Sequence, residues 1–307
     1  MIERYILAAA LAVAGALPAS AQNRDRDRDR RDDDYRSRID TVLPLSRNGT
    51  VEIELRSGEI IVTASGRNEV RVRAESERGQ LRLDASPSHI GIGTRGMRGG
   101  HGDTRVEVSV PEGTRLTVSG HSADVSIRGV RGEVNVSTMS GDVVIDDASS
   151  RVEFESVSGD VRVTRLQGTL RGEAMSGEVE VTDVSGEVDL ETVSGDLTLH
   201  NVSSRSVRAE TMSGSVEFDG RTEAGGRYDF SSHSGDVRLM LPAALGATIS
   251  VETFSGSIDS DFPITLEPGQ RHGKQFEFRV GDGSARIGAS SFSGGIYIQR
   301  GPGRDRE

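Results

Sequence analysis

The chain has 307 residues, with no cysteine or tryptophan, a single lysine (Lys274), 38 glycines and a formal charge of −11. These counts exclude a disulfide framework, a thiolate metal site and a cysteine nucleophile. The acidity argues against a nucleic-acid partner, whose phosphates need a basic surface. Apolar residues make up 34%, enough for a thin core of small and β-branched side chains once glycine is added.

Residues 1–21 read as a secretory signal peptide. Arg4 supplies the positive charge, Ile6 to Leu17 the short apolar run, and Ala19-Ser20-Ala21 the small-x-small cleavage pattern. Gln22 is then the first mature residue. Nothing downstream reaches ~18 continuous apolar residues, so no membrane span is expected in the mature protein. Residues 22–38 form an Arg/Asp-rich linker. Arg24 to Arg38 alone holds seven arginines and six aspartates, and a run so polar and so nearly neutral is expected to be a disordered spacer. The tail 300–307 has a similar composition and the same expectation, so the acidity belongs to a single domain at 39–299.

Within that domain, 39–129 reads as irregular N-terminal coils. Candidate strands are Val51 to Leu55, Ile60 to Val62, Val70 to Ala74, Leu81 to Leu83, Val106 to Val110 and Leu116 to Val118. The glycine-rich stretch 86–103 interrupts them and is expected to be a loop. It contains Gly91-Ile92-Gly93-Thr94-Arg95-Gly96, which fits the dinucleotide pattern GxGxxG. That chemistry needs a helix to begin where Met97-Arg98-Gly99-Gly100 stands, so no nucleotide cofactor is expected. His89, His101, Asp103 and His121 have irregular spacing and no helix to gather them, which favours solvated histidines over zinc. His200, His233 and His272 are scattered, no nucleophile elbow singles out a serine, and no catalytic residue is assigned.

From 130 to 299 the sequence repeats. Ser-Gly pairs begin at Ser140, Ser158, Ser176 and Ser194, 18 residues apart, and again at Ser213, Ser234, Ser255 and Ser293. A second phrase, on Val130, Ala148, Leu166, Val184 and Val202, keeps the same 18-residue interval. Each half-unit carries an apolar–polar–apolar triplet such as Val161-Arg162-Val163, the period-2 pattern of a half-buried strand. The implied fold is all-β: a parallel β-solenoid or β-helix-like stack of coils of ~18 residues, with two main strands per coil. A hairpin sandwich gives no reason for alternate repeats to resemble one another.

In such a stack, residues 18 apart are vertical neighbours. The series before Ser-Gly (Met139, Val157, Met175, Val193, Met212, His233, Phe254) is almost wholly apolar and is expected to be a buried ladder. Glu153, Arg171, Asp189, Arg208 and Asp229 alternate in sign, as stacked charges should. Asp142, Asp160, Glu178 and Asp196 form an acidic row, continued by Ser215, Asp236 and Ser257. Two readings apply to that row: calcium ligands, or side chains bonded to backbone amides in their own turns.

The phrases Glu252-Thr253-Phe254-Ser255-Gly256-Ser257-Ile258, Val110-Pro111-Glu112-Gly113-Thr114, and Gly281-Asp282-Gly283 leading into Ser291-Phe292-Ser293-Gly294 resemble the bacterial "putative adhesin" β-strand-repeat family, a domain of unknown function. The resemblance spans roughly Asp40 to Ile298. It implies a β-solenoid in an exported or envelope protein and brings no catalytic residues with it. The expectation is a non-enzymatic envelope protein, an adhesin or scaffold working through many weak contacts with an envelope or surface partner, protein or polymer. The alternatives are a polysaccharide-processing β-helix enzyme, which the missing tryptophan and scarce lysine disfavour, and an envelope-stress sensory or accessory factor.

Overall fold

The computed structural model describes residues 37–46, 48–77, 79–95, 104–263 and 274–301. The signal peptide with Ala19, Ala21 and Gln22, nearly all of the linker, His101, Asp103, His272 and almost all of the tail lie outside these residues. Among the described residues no helix is long and apolar enough to cross a membrane.

The period-2 triplets become strands throughout. The first seven are β1 (Ser37–Pro44), β2 (Thr50–Ser65), β3 (Glu69–Ser76), β4 (Gln80–Ala85), β5 (His89–Arg95), β6 (Thr104–Pro111) and β7 (Arg115–Arg128). The regular coils hold β8 (Val134–Ser140), β9 (Val143–Ser156), β10 (Val161–Ser176), β11 (Val179–Ser185), β12 (Val188–Ser194), β13 (Leu197–Ser213) and β14 (Val216–Ser234). The last six are β15 (Val237–Leu241), β16 (Ala247–Thr253), β17 (Ile258–Ser260), β18 (Lys274–Val280), β19 (Ala285–Ser293) and β20 (Ile296–Arg300).

They stack in parallel and in register, so that Val143 pairs with Val161, Val161 with Val179, and Val179 with Leu197. This row forms the back of the solenoid. On the front, Val134 pairs with Val152, Val152 with Leu170, and Leu170 with Val188. The first and third residues of each triplet point inward, and the two rows share one core. Phe218 of the back meets Phe230 of the front at a centroid distance of 4.8 Å. Each fully buried Val, Leu or Ile contributes roughly 1.5–3 kcal/mol, and this repeated small core offsets the lack of any covalent staple.

Two corners close each coil. At one, Asp147, Arg165, Asp183 and Asn201 all have φ between 52° and 58°, and Asp and Asn tolerate this left-handed conformation better than other side chains. At the other, the Ser-Gly glycines stack so closely that a Cβ on Gly159, Gly177, Gly195 or Gly214 would strike the carbonyl oxygen of the glycine one coil before. Glycine is needed at all four for close approach, and at Gly159, Gly177 and Gly214 for its backbone angle as well.

Both ends leave the simple stack. On the back, β1 pairs with β3 and β3 with β6, both antiparallel. On the front, β4 lies antiparallel on β5, and β18 antiparallel on β16. The exposed edge β1 carries the ion pairs Arg38–Glu75 and Asp40–Arg71, charges of the kind that discourage further strand addition.

Two expectations need correction. The stretch 86–103 is not all loop, because β5 lies inside it and pairs with β2 as well as β4. Ile90 and Ile92 alternate into the core, and that alternation outweighs the glycines between them. The GxGxxG pattern therefore starts on a strand. The second correction concerns coil order. Ser234 pairs with Ser293, not with the turn at Ser255, because β19 and β20 insert between the β14–β15 level and the β16–β17 level. Every coil carries the same turn phrase, so any of them fits any level, and the antiparallel β18 takes the outer edge instead of the chain's last coil.

The alternating charges stack as expected: Arg171 lies between Glu153 and Asp189, and Arg208 between Asp189 and Asp229. Arg171→Glu would turn two attractive neighbours into repulsive ones. The unfolding midpoint is expected to fall by a few degrees, and adding Glu153→Arg should recover about half of the loss. An unchanged midpoint in low salt would show that the ladder contributes nothing to register.

Candidate functional site

The residues before Ser-Gly are not a buried ladder. Met139, Val157, Met175, Val193 and Met212 are 44–59% exposed, Phe292 is 49% and Phe254 is 73% exposed. Strand parity explains the reversal. Val152, Phe154 and Ser156 point inward, so Val157 must point out. The inward place one residue earlier belongs to small, mostly hydroxylated side chains: Thr138, Ser156, Ala174, Thr192, Thr211, Ser232, Ser291 and Thr253. Four of these hydroxyls donate to glycine carbonyls in the turns of neighbouring coils: Thr211 to Gly195, Ser232 to Gly214, Ser291 to Gly235 and Thr253 to Gly294, at 2.8–3.2 Å. A buried methionine could not satisfy those carbonyls. At those four levels the turn selects the hydroxyl for the inside, while strand parity alone leaves Met139, Val157, Met175 and Val193 in solvent.

The result is an apolar stripe along the front, one side chain per coil at the ~4.8 Å strand spacing. Its C-terminal end is aromatic. His233 stacks on Phe292 at 4.8 Å and Phe292 on Phe254 at 4.9 Å, with planes within 7° and 2° of parallel. This stack exists because of the inserted coil, which places Phe292 between two residues that the sequence order makes adjacent.

Two residues back along each strand lies a second outward column. Glu155, Glu173, Glu191 and Glu210 are paired level by level. Four like charges on successive strands oppose folding. Arg208 relieves part of this, with nitrogens 2.9 Å from both Glu210 carboxylate oxygens and 3.5 Å from Glu191. The Glu210 bond is the main reason the guanidinium of Arg208 holds its proton more tightly than usual. Arg171 reaches Glu173 at 3.8 Å. Among the described residues Glu155 has no ion-pair partner. Stripe and column together line a groove of about 810 Å³ that runs from Ser137 and Thr138 to Glu252 and Phe254.

The acidic row lies at the turns as expected, apart from the groove. Asp142 Oδ1 accepts the amide of Asp160, and Asp160 Oδ1 that of Glu178, at 3.0 and 2.9 Å. Asp196 Oδ1 accepts the amide of Ser215 at 2.7 Å. These carboxylates hold the turn of the following coil, not their own. Among the described residues no group of three or more His, Cys, Asp and Glu side chains is arranged to hold a metal ion. His89 sits 3.6 Å from Glu52, and His121 is exposed. The parity of the triplets was the signal in the sequence for the exposed stripe; the hydrophobicity of Met and Val obscured it.

The family model described as Toastrack DUF4097 matches residues 51–299. The chain belongs to this family. Toastrack repeats thus account for nearly all of the described stack, including the inserted C-terminal coil. The chain is also similar to three solved structures. One is a "putative cell adhesion protein" from Clostridium sporogenes, at 9% identity and a TM-score of 0.25, covering 86% of this chain and 100% of that one. The others are each described as a "putative adhesin". The protein from Parabacteroides merdae has 11% identity and a TM-score of 0.31, with 67% of this chain and 89% of that one covered. The protein from Bacteroides fragilis has 12% identity and a TM-score of 0.31, with 85% and 97% covered.

Proposed function

We propose that this Toastrack protein is an exported, non-enzymatic component of the cell envelope that acts by surface contact, as an adhesin or scaffold. The observation that carries this reading is the exposed apolar stripe. Soluble proteins rarely leave a long contiguous apolar surface in water unless something binds it. Here the stripe repeats coil by coil beside a column of carboxylates, so one rigid face offers many similar small contacts whose effects add. The signal-peptide pattern ending at Ala21 supports export. The protein recovered outside the cytoplasm should begin at Gln22 by mass spectrometry, and a chain retaining Met1 would count against export.

The contact reading is tested by cosedimentation of the purified mature protein with envelope fractions. Met175→Ser alone should lower retention by less than about twofold, and Met175→Ser/Val193→Ser/Met212→Ser by about tenfold, since distributed contacts fail gradually. These side chains are exposed, so the fold should survive, as circular dichroism will show. Complete loss from the single change, or no loss from the triple, would overturn the reading.

A further inference from the structure

We propose that the front groove receives a cationic amphipathic helix from a polypeptide partner, its apolar face on Met175, Val193 and Met212 and its Lys or Arg side chains on Glu173, Glu191 and Glu210. The inference rests on the contact reading above and names the class of partner.

Charge complementarity selects the occupant. Over the four levels from Glu155 to Glu210 the stripe and the carboxylates run side by side, so a ligand that matches this stretch must be apolar along one edge and basic along the next. A second copy of this chain brings the same glutamate column and a net charge of −11, and an anionic membrane surface repels it too. The stripe also alternates long and short side chains. Val193 lies between Met175 and Met212, and such notches recur every second coil, ~9.6 Å apart by the strand spacing. Residues i and i+7 of a helix are ~10.5 Å apart on one face. Bulky side chains at those positions can seat in successive notches, and flexible methionines absorb the remaining mismatch. The span from Met139 to Met212 is four coils, ~19 Å, or ~13 residues of helix.

The probe is a fluorescein-labelled Leu/Lys peptide of about 18 residues with leucines at helical spacing, titrated with the purified mature protein and followed by anisotropy. The expected result is saturable binding. It should weaken about tenfold in Glu173→Gln/Glu191→Gln, with a shallower salt dependence, and by a similar factor in Met175→Ser/Val193→Ser. The back-face variant Glu180→Gln should bind as the parent does. Equal binding of a scrambled peptide with the same composition, or of polylysine, would reduce the effect to general electrostatics and overturn the proposal. So would indifference to the front-face variants. Self-association lost in Met175→Ser/Val193→Ser and unaffected by peptide would assign the groove to a second copy. If these variants lower envelope retention while the peptide fails to bind, the contact reading stands and this inference falls. If neither responds, both fall.

Discussion

Gly177→Ala is expected to lower the unfolding midpoint by roughly 10 °C, corresponding to about 3 kcal/mol or more in a domain of this size. Two effects meet at this residue. Its φ is 113°, a conformation in which a side chain costs about 1–3 kcal/mol. A Cβ there would also strike the Gly159 carbonyl oxygen, a backbone atom that cannot swing aside without opening the stack. Three other glycines separate these contributions. Gly66 has open space and no unusual φ, and Ala should be neutral or nearly so. Gly225 has φ 76° but open space, so Ala should cost about 1 kcal/mol for the angle alone. Gly195 lacks the positive φ but meets the Gly177 carbonyl, which isolates the steric effect. Thermal unfolding of the four variants should rank them Gly66, Gly225, Gly195, Gly177. A Gly177 variant no worse than the Gly225 one would mean that the turns pack more loosely than their carbonyls indicate.

The period of this fold was legible because an in-register stack makes sequence interval and spatial neighbourhood the same thing. Arg171 could be placed between Glu153 and Asp189 from the 18-residue spacing alone, and the structure places it there. The groove was misjudged because two local signals disagreed. Hydrophobicity assigned Met175 to the core, while counting by twos from Leu170 assigned Ala174 to it. Parity won, since the backbone fixes it, and at Thr211, Ser232, Ser291 and Thr253 the turn carbonyls of neighbouring coils reward a hydroxyl at that inward level. Coil order was not legible for a different reason. The phrase at Ser293 fits beside Ser234 as well as the phrase at Ser255 does, so local sequence fixes the register of each coil and leaves its level open. In the structure β16 lies between β19 and the antiparallel β18.

The same column logic governs the inside of the front row, where size alternates. Read upward by pairing, the third triplet position is Phe154, Gly172, Leu190, Ala209, Phe230 and Ala289. Large and small residues alternate because vertical neighbours share one layer of core, and a ring that tilts over the next level, as Phe154 does over Gly172, leaves room there only for a small residue. Gly172 is the extreme case: a Cβ there would lie within the Phe154 ring. Phe154→Ala should cost about 3–5 kcal/mol through lost burial and the cavity left behind. Gly172→Ala should cost about 1–3 kcal/mol by overpacking against a ring held inside the core. In Phe154→Ala/Gly172→Ala the added methyl occupies space that the ring has left. The double variant should then be less destabilised than the sum of the singles by about 1–3 kcal/mol, the scale of coupling between touching residues. Denaturant unfolding of the four proteins closes the cycle. Strict additivity would mean that the two positions do not share a layer, and that the size alternation does not arise from vertical packing.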